Sequence, residues 1–187
     1  MLKVFMSPLL KIDFVSDVAC PWCAVGLSAL ERALERLTGD VEVELHFQPF
    51  ELNPGMEPAG RDVGEYLTAK YGTTAEQQAA TRANIARRGA EVGFTFRPEG
   101  RGRIWNTFDA HRLLHWAGLE DARKQHALKK ALLTAYHGRA ESPSDIEVLA
   151  RAAREVGLDE ARARAVLASD EFAAEVRASE QLWREAG

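Results

Sequence analysis

The chain has 187 residues, 46% of them hydrophobic and 28% charged, with a formal net charge of −4. A chain of this length buries roughly 70% of its unfolded surface without disulfide staples, so its two cysteines are not needed as a framework. The acidic balance gives no reason to expect nucleic acid as a partner, and no apolar run approaches the ~20 residues of a membrane span.

Met1 to Pro8 carries one lysine and no sustained apolar core, so it does not read as a signal peptide, and Met6 is an alternative start. The expected location is therefore cytoplasmic. Leu9 to Val15 is nearly continuously apolar, which predicts a central strand covered on both faces and flanked on both edges. A helix opening at Pro21 carries Leu27, Leu30, Leu34 and Leu37 at helical spacing and stops near Gly39. Val41 to Phe47 alternates, with valines, Leu45 and Phe47 on one side and Glu42, Glu44 and His46 on the other, as in a half-exposed edge strand. Together these predict a right-handed strand–helix–strand unit.

Beyond the loop Gln48 to Pro54 the periodicity is helical, with helices predicted near 62–71, 75–92, 107–117, 120–137, 145–156, 159–168 and 170–185. Thr74, Thr107, Ser144 and Ser169 are the predicted N-caps; Gly93, Gly118, Gly138 and Gly157 are the predicted stops. Leu2 to Phe5 and Phe94 to Phe96 are weak strand candidates. The first strand thus lacks partners for both edges, and Gly187 falls where an α/β fold would next turn into another strand, so an absent C-terminal segment is expected.

The two cysteines are three apart, in Cys20-Pro21-Trp22-Cys23, between the first strand and the first helix. Cys20 falls where the opening amides of the helix lack intrahelical partners, a position that stabilises a thiolate. Pro21 suits the first turn because its φ is already helical and it has no N–H to leave unpaired. Cys23 lies one turn on, on the same face. The expected chemistry is thiol–disulfide exchange, in which Cys20 attacks, a mixed disulfide forms and Cys23 resolves it, with Trp22 exposed to a partner. The rival reading is a non-enzymatic zinc or interaction module, with His111 and His115 completing a Cys₂His₂ set; His111 is alternatively a cleft residue. Arg97, Arg101 and Arg103 form a basic loop. If it reaches over the dithiol, it would attract anionic thiols and lower the Cys20 pKa further.

Ser16-Asp17-Val18-Ala19-Cys20-Pro21-Trp22-Cys23-Ala24-Val25-Gly26, Gln48 to Pro54, Asn106 to Leu114 and Gly157-Leu158-Asp159 occur in this order. With them the chain resembles the FrnE-like branch of the DsbA thioredoxin-fold family. The resemblance implies an α/β, thioredoxin-like fold over 1–55 and 169–187, interrupted by a helical insertion over 56–168. It implies a dithiol–disulfide oxidoreductase or isomerase acting on protein thiols or a small-molecule thiol, with no cofactor beyond its own redox-active disulfide. Members of the family continue past the position of Gly187 with a cis-proline loop, two strands and a last helix, which this sequence lacks; a second copy, as a homodimer, is one way to cover the open sheet edge. The same superfamily includes glutathione-dependent 2-hydroxychromene-2-carboxylate isomerases and kappa-class transferases, which usually carry serine at the Cys20 position. In that second reading glutathione is a co-substrate, and Asn53, Pro54 and Asn106 line a pocket beside the dithiol; the plainer readings are a turn at Asn53-Pro54 and an N-cap at Asn106-Thr107.

Overall fold

The structure is a computed structural model and describes residues 9–187. The strand candidate at Leu2 to Phe5 lies outside them. β1 (Leu9–Ser16) leads through a tight loop into α1 (Pro21–Arg36), and β2 (Glu42–Pro49) returns parallel to β1, with Leu9 opposite Glu42 and Ser16 opposite Pro49. Parallel pairing requires the crossover that α1 supplies. β2 alternates as its sequence predicts, with Val43, Leu45 and Phe47 turned inward and Glu42, Glu44 and His46 exposed.

β1 departs from expectation. Among the described residues it pairs with β2 alone, and Leu9, Leu10 and Val15 are 49%, 45% and 37% exposed, so it is not the doubly covered strand its apolar run predicts. Its covered side holds Phe14, whose ring meets Phe47 edge-on at 5.8 Å. No second edge partner and no layer covers the opposite face within 9–187, and apolar composition alone cannot bury a strand without them.

A short antiparallel pair, β3 (Arg61–Asp62) and β4 (Arg103–Ile104), brackets α2 (Val63–Tyr71) and α3 (Ala75–Val92). Thr74 caps α3 in a full capping box with Gln77, and Gly93 ends it at φ 87°. Then come α4 (Phe108–Glu120), α5 (Ala122–Leu133), a π-helical turn over Thr134–Gly138, α6 (Ile146–Glu155), α7 (Glu160–Leu167) and α8 (Ala173–Ala186).

Three predicted boundaries shift for identifiable reasons. Gly118 does not stop α4: it lies inside the helix, where a Cβ would come within 2.6 Å of the Gln125 amide, so glycine is there for close packing. Asp145, not Ser144, caps α6, its carboxylate accepting from the Glu147 amide. α8 begins at Ala173 after Phe172 at φ 63°, because buried Arg112 donates to the carbonyls of Val166, Ser169 and Glu171 and closes the bend. Phe94 and Phe96 form no strand; their rings meet at 4.7 Å, tilted by 56°, and pack against the cluster of Ala24, Leu27, Phe47 and Leu133.

The larger core lies within the helices and includes Leu113, Leu128, Leu132, Tyr136 and Leu149, all at most 1% exposed. α5 joins the two cores, with Leu132 in one and Leu133 in the other. No helix among the described residues is long and apolar enough to cross a membrane.

Candidate active site: a dithiol stitched to the helical body

Cys20 is the N-cap of α1, with φ −88° and ψ 113°, and Pro21 occupies the first turn. The Cys20 amide donates to the Asp17 carbonyl at 3.2 Å, and the Cys23 amide to the Cys20 carbonyl at 3.1 Å. Both cysteines are free thiols. The Cys20 sulfur is brought down from an ordinary thiol value of 9.0 to about 6. The largest cause is the hydrogen bond from the Cys23 thiol; burial opposes it, and the amides of Cys23 and Trp22 add to it, while Asp17 opposes it by charge. Cys23 moves the other way, first because its proton is held on Cys20 and then because it is buried. The pair therefore loses its protons in two well-separated steps, the first leaving the anion at Cys20.

The loop that presents Cys20 is tied at every residue from 16 to 19 to side chains of the region between residues 101 and 137. Lys129 of α5 donates to the Ser16 carbonyl at 3.4 Å. Asp17 accepts from the Thr107 hydroxyl at 2.8 Å and from the amides of Ala19 and Leu52. His137, in the π-helical turn, lies 2.9 Å from the Val18 carbonyl. Arg101 donates to the Ala19 carbonyl, its guanidinium resting 5.4 Å from the Tyr136 ring centroid. A carbonyl only accepts, so the His137 Nε2 carries a proton, and burial pushes its pKa down to about 3, leaving the ring neutral.

Asp17 is 1% exposed, and burial, the largest influence, favours its neutral form. His111 and the amides of Ala19 and Leu52 outweigh burial and bring its pKa from 3.8 to about 2. His111 Nε2 stands 3.4 Å from Asp17 Oδ1, an ion-pair distance, yet lacks hydrogen-bond geometry to it or to any described residue. Lys129 is 1% exposed; burial lowers its pKa from 10.5 to about 8 against the pull of Asp17 and the two sulfurs. A cavity of about 30 Å³ lies against Lys129, His111 and Gln48, large enough for one water.

The other predicted site residues distribute as follows. Trp22 is 47% exposed beside the dithiol. Asn53 Oδ1 accepts from the Tyr66 hydroxyl and from Lys70, while its carbonyl closes the turn onto Met56; Pro54 within that turn is exposed. Asn106 Oδ1 caps α4 at the Phe108 amide, and its amide donates to the Met56 carbonyl. Both asparagines thus fasten the loop after β2 to the helical body. Thr107 holds the N-cap position but turns its hydroxyl to Asp17 instead. Among the described residues no group of three or more His, Cys, Asp or Glu side chains could hold a metal ion: His111 faces Asp17, and His115 packs on Phe172 at 5.4 Å. The Cys₂His₂ grouping is not assembled. Of the basic loop, Arg101 reaches the Cys20 peptide, Arg103 turns to the carbonyls of Ala59 and Gly60, and Arg97 pairs with Glu99.

Sequence reasoning did not assign Lys129 or His137. Lys129 falls on the stripe Gln125, Leu128, Lys129, Leu132, all buried at helical spacing. A lysine on an apolar stripe was the available signal.

A parallel strand–helix–strand unit with a dithiol at the helix's amino end, covered by a helical body, defines a thioredoxin-like fold of mixed α/β class. The family model described as a DSBA-like thioredoxin domain matches residues 11–187. The chain belongs to that family, whose members are thiol–disulfide oxidoreductases and isomerases. It is 30% identical over 156 residues to the uncharacterized protein YwbO of Bacillus subtilis (strain 168), covering 83% of this chain and 70% of that one. The crystal structure of a probable DsbA oxidoreductase, SCO1869 from Streptomyces coelicolor, superposes with a TM-score of 0.86 at 37% identity, covering 95% of this chain and 76% of that one. The cytosolic disulfide reductase DsbM from Pseudomonas aeruginosa, solved with GSH, shares the fold at a TM-score of 0.63 and 19% identity, covering 95% and 81%.

Proposed function

We propose that this protein carries out thiol–disulfide exchange at Cys20 and Cys23, through a mixed disulfide, on protein thiols or small-molecule thiols. The observation that carries this reading is the placement of two free thiols at one helix end, Cys20 at the N-cap of α1 and Cys23 one turn on with its amide on the Cys20 carbonyl; that setting favours Cys20 as thiolate while Cys23 keeps its proton. At neutral pH the first attack therefore comes from Cys20. Once Cys20 is in a mixed disulfide its charge is gone, the Cys23 proton loses its acceptor, and Cys23 becomes free to ionise and attack the Cys20 sulfur. Asp17 and Lys129, buried behind the loop, fix its position and field. The reading also places the protein in the FrnE-like branch, in a cytoplasmic setting, with the division at residues 55/56 and 168/169 separating the parts that hold β1, β2 and α8 from the helix-rich insertion.

The glutathione-dependent reading has one structural point in its favour, a cleft of about 320 Å³ that reaches Pro21, next to Cys20.

The test is insulin reduction with a dithiol present, read on three proteins. Cys20→Ser is expected to lose at least about 10³-fold in rate, the scale of removing a nucleophile. Cys23→Ser should accumulate mixed disulfides detectable by mass. Wild-type turnover by the Cys20→Ser protein would overturn the assignment.

A further inference from the structure

The cleft beside Pro21 runs between α1 and the corner formed by α2 and α3. Val63, Leu67, Ile85 and Phe96 supply apolar walls. The corner is tied by Gln78, whose amide donates to the Gly64 carbonyl at 3.1 Å and to the Thr68 and Thr73 hydroxyls. The volume, about 320 Å³, is that of a small-molecule site.

Three arginines and one glutamate line the cleft. Glu99 is paired with Arg97 at 3.1 Å, and Arg101 is held between the Ala19 carbonyl and Tyr136. Arg82 has no hydrogen bond or ion pair among the described residues. Its stem packs on the loop at Gly100, where a Cβ would meet the Arg82 Cδ at 3.2 Å and where φ is 83°. An exposed, unpaired guanidinium on the lining of a cleft with apolar walls matches an anion carried on an apolar body. Glutathione, polar along its length, would leave those walls unfilled.

We infer that this cleft receives the non-sulfur part of the substrate, an apolar aromatic or branched-alkyl group bearing a carboxylate, with Arg82 on the carboxylate and the substrate sulfur directed past Pro21 to Cys20. The inference rests on the exchange reading and narrows it to acidic, apolar low-molecular-weight disulfides. The step balances within one turnover. The Cys20 thiolate attacks one sulfur of RSSR, a Cys20–S–S–R bond forms and RS⁻ leaves. Cys23 gives its proton to solvent and attacks the Cys20 sulfur, a Cys20–Cys23 disulfide forms, and the second RS⁻ leaves; the dithiol supplies both electrons.

Two measurements on the full chain test this. The first uses a thiol-free probe, 3-phenylpropanoate, against its neutral amide, followed by calorimetry or NMR. The acid should bind about 10-fold more tightly than the amide; Arg82→Glu should erase that preference, and Leu67→Asn should weaken both ligands. Arg123→Glu, a charge reversal outside the cleft lining with its side chain 94% exposed, serves as the control and should leave both affinities unchanged.

The second is single-turnover reduction of 5,5′-dithiobis(2-nitrobenzoate) and of 2-hydroxyethyl disulfide by the reduced protein. The ratio of their half-saturation concentrations should shift about 10-fold against the aromatic acid in Arg82→Glu. Absence of saturable 3-phenylpropanoate binding in the low millimolar range, or affinities and ratios indifferent to both Arg82→Glu and Leu67→Asn, would overturn the inference. A peptide disulfide with neutral flanks that competes equally would overturn it in favour of a protein substrate. If the acid binds as expected but no thiolate is released from either disulfide, the exchange reading fails and the ligand class of the cleft stands.

Discussion

β1 and α5 are both rich in aliphatic residues, yet the fold treats them oppositely. Leu9 and Leu10 of β1 stay about half exposed, whereas Leu128, Leu132 and Leu133 of α5 are at most 1% exposed. The difference is one of neighbours. α5 is covered by α4, α6 and β2, while β1 within the described residues has β2 on one edge. A dithiol placed at the end of such an open strand needs another source of rigidity. The loop Ser16 to Ala19 takes it from the helical body, through Lys129, Thr107, His137 and Arg101. This dithiol is held chiefly by side chains of the helical body that are remote in sequence, with the two-stranded sheet supplying only its approach.

Breaking the helical side should cost most. Leu132→Ala opens a cavity in the larger core and should destabilise the fold by about 2–5 kcal/mol in denaturant titration. Asp17→Asn attacks the stitching itself and should cost about 2–3 kcal/mol, because a buried hydrogen-bonded charge is lost and an amide N–H₂ replaces an acceptor. It should also lower the Cys20 pKa, since the Asp17 charge opposes the thiolate. Thiolate ultraviolet absorbance against pH reads this directly, and a Cys20 midpoint that rises would refute the stated role of Asp17.

The pH dependence sharpens the same point. The folded pKa of Asp17 lies near 2, below its ordinary 3.8, so its contribution is complete above about pH 4 and is lost as pH falls toward 2. By linkage it amounts to about 2 kcal/mol, a loss that Asp17→Asn should not show. The smallest effect belongs to the strand. Leu9→Ser should change stability by less than about 0.5 kcal/mol, since that side chain is already half in water. A loss comparable to that of Leu132→Ala would show that β1 is covered in solution.

Much of this was legible in the residues. The dithiol at a helix start, the parallel partnering of the two strands and the cap at Thr74 each follow from patterns a few residues long. Gly118 was misread because a glycine near a helix end looks like a stop, while its actual reason is the Gln125 amide, which meets Phe47 and Leu114. Lys129 was passed over because its charge hides a buried position. Arg101 was recognised as basic loop, but nothing local indicates which of three neighbouring arginines reaches the Cys20 peptide.

The sequence by itself determined where the two sulfurs sit, because a strand, a proline and three-residue spacing place them at a helix's amino end through local backbone geometry. Tertiary structure alone decided what surrounds them. The side chains that donate to residues 16 to 19 come from 82 to 119 residues downstream, and contacts at that separation depend on how helices pack rather than on any short pattern. The cleft arises in the same way, from a corner between α2 and α3 meeting the start of α1.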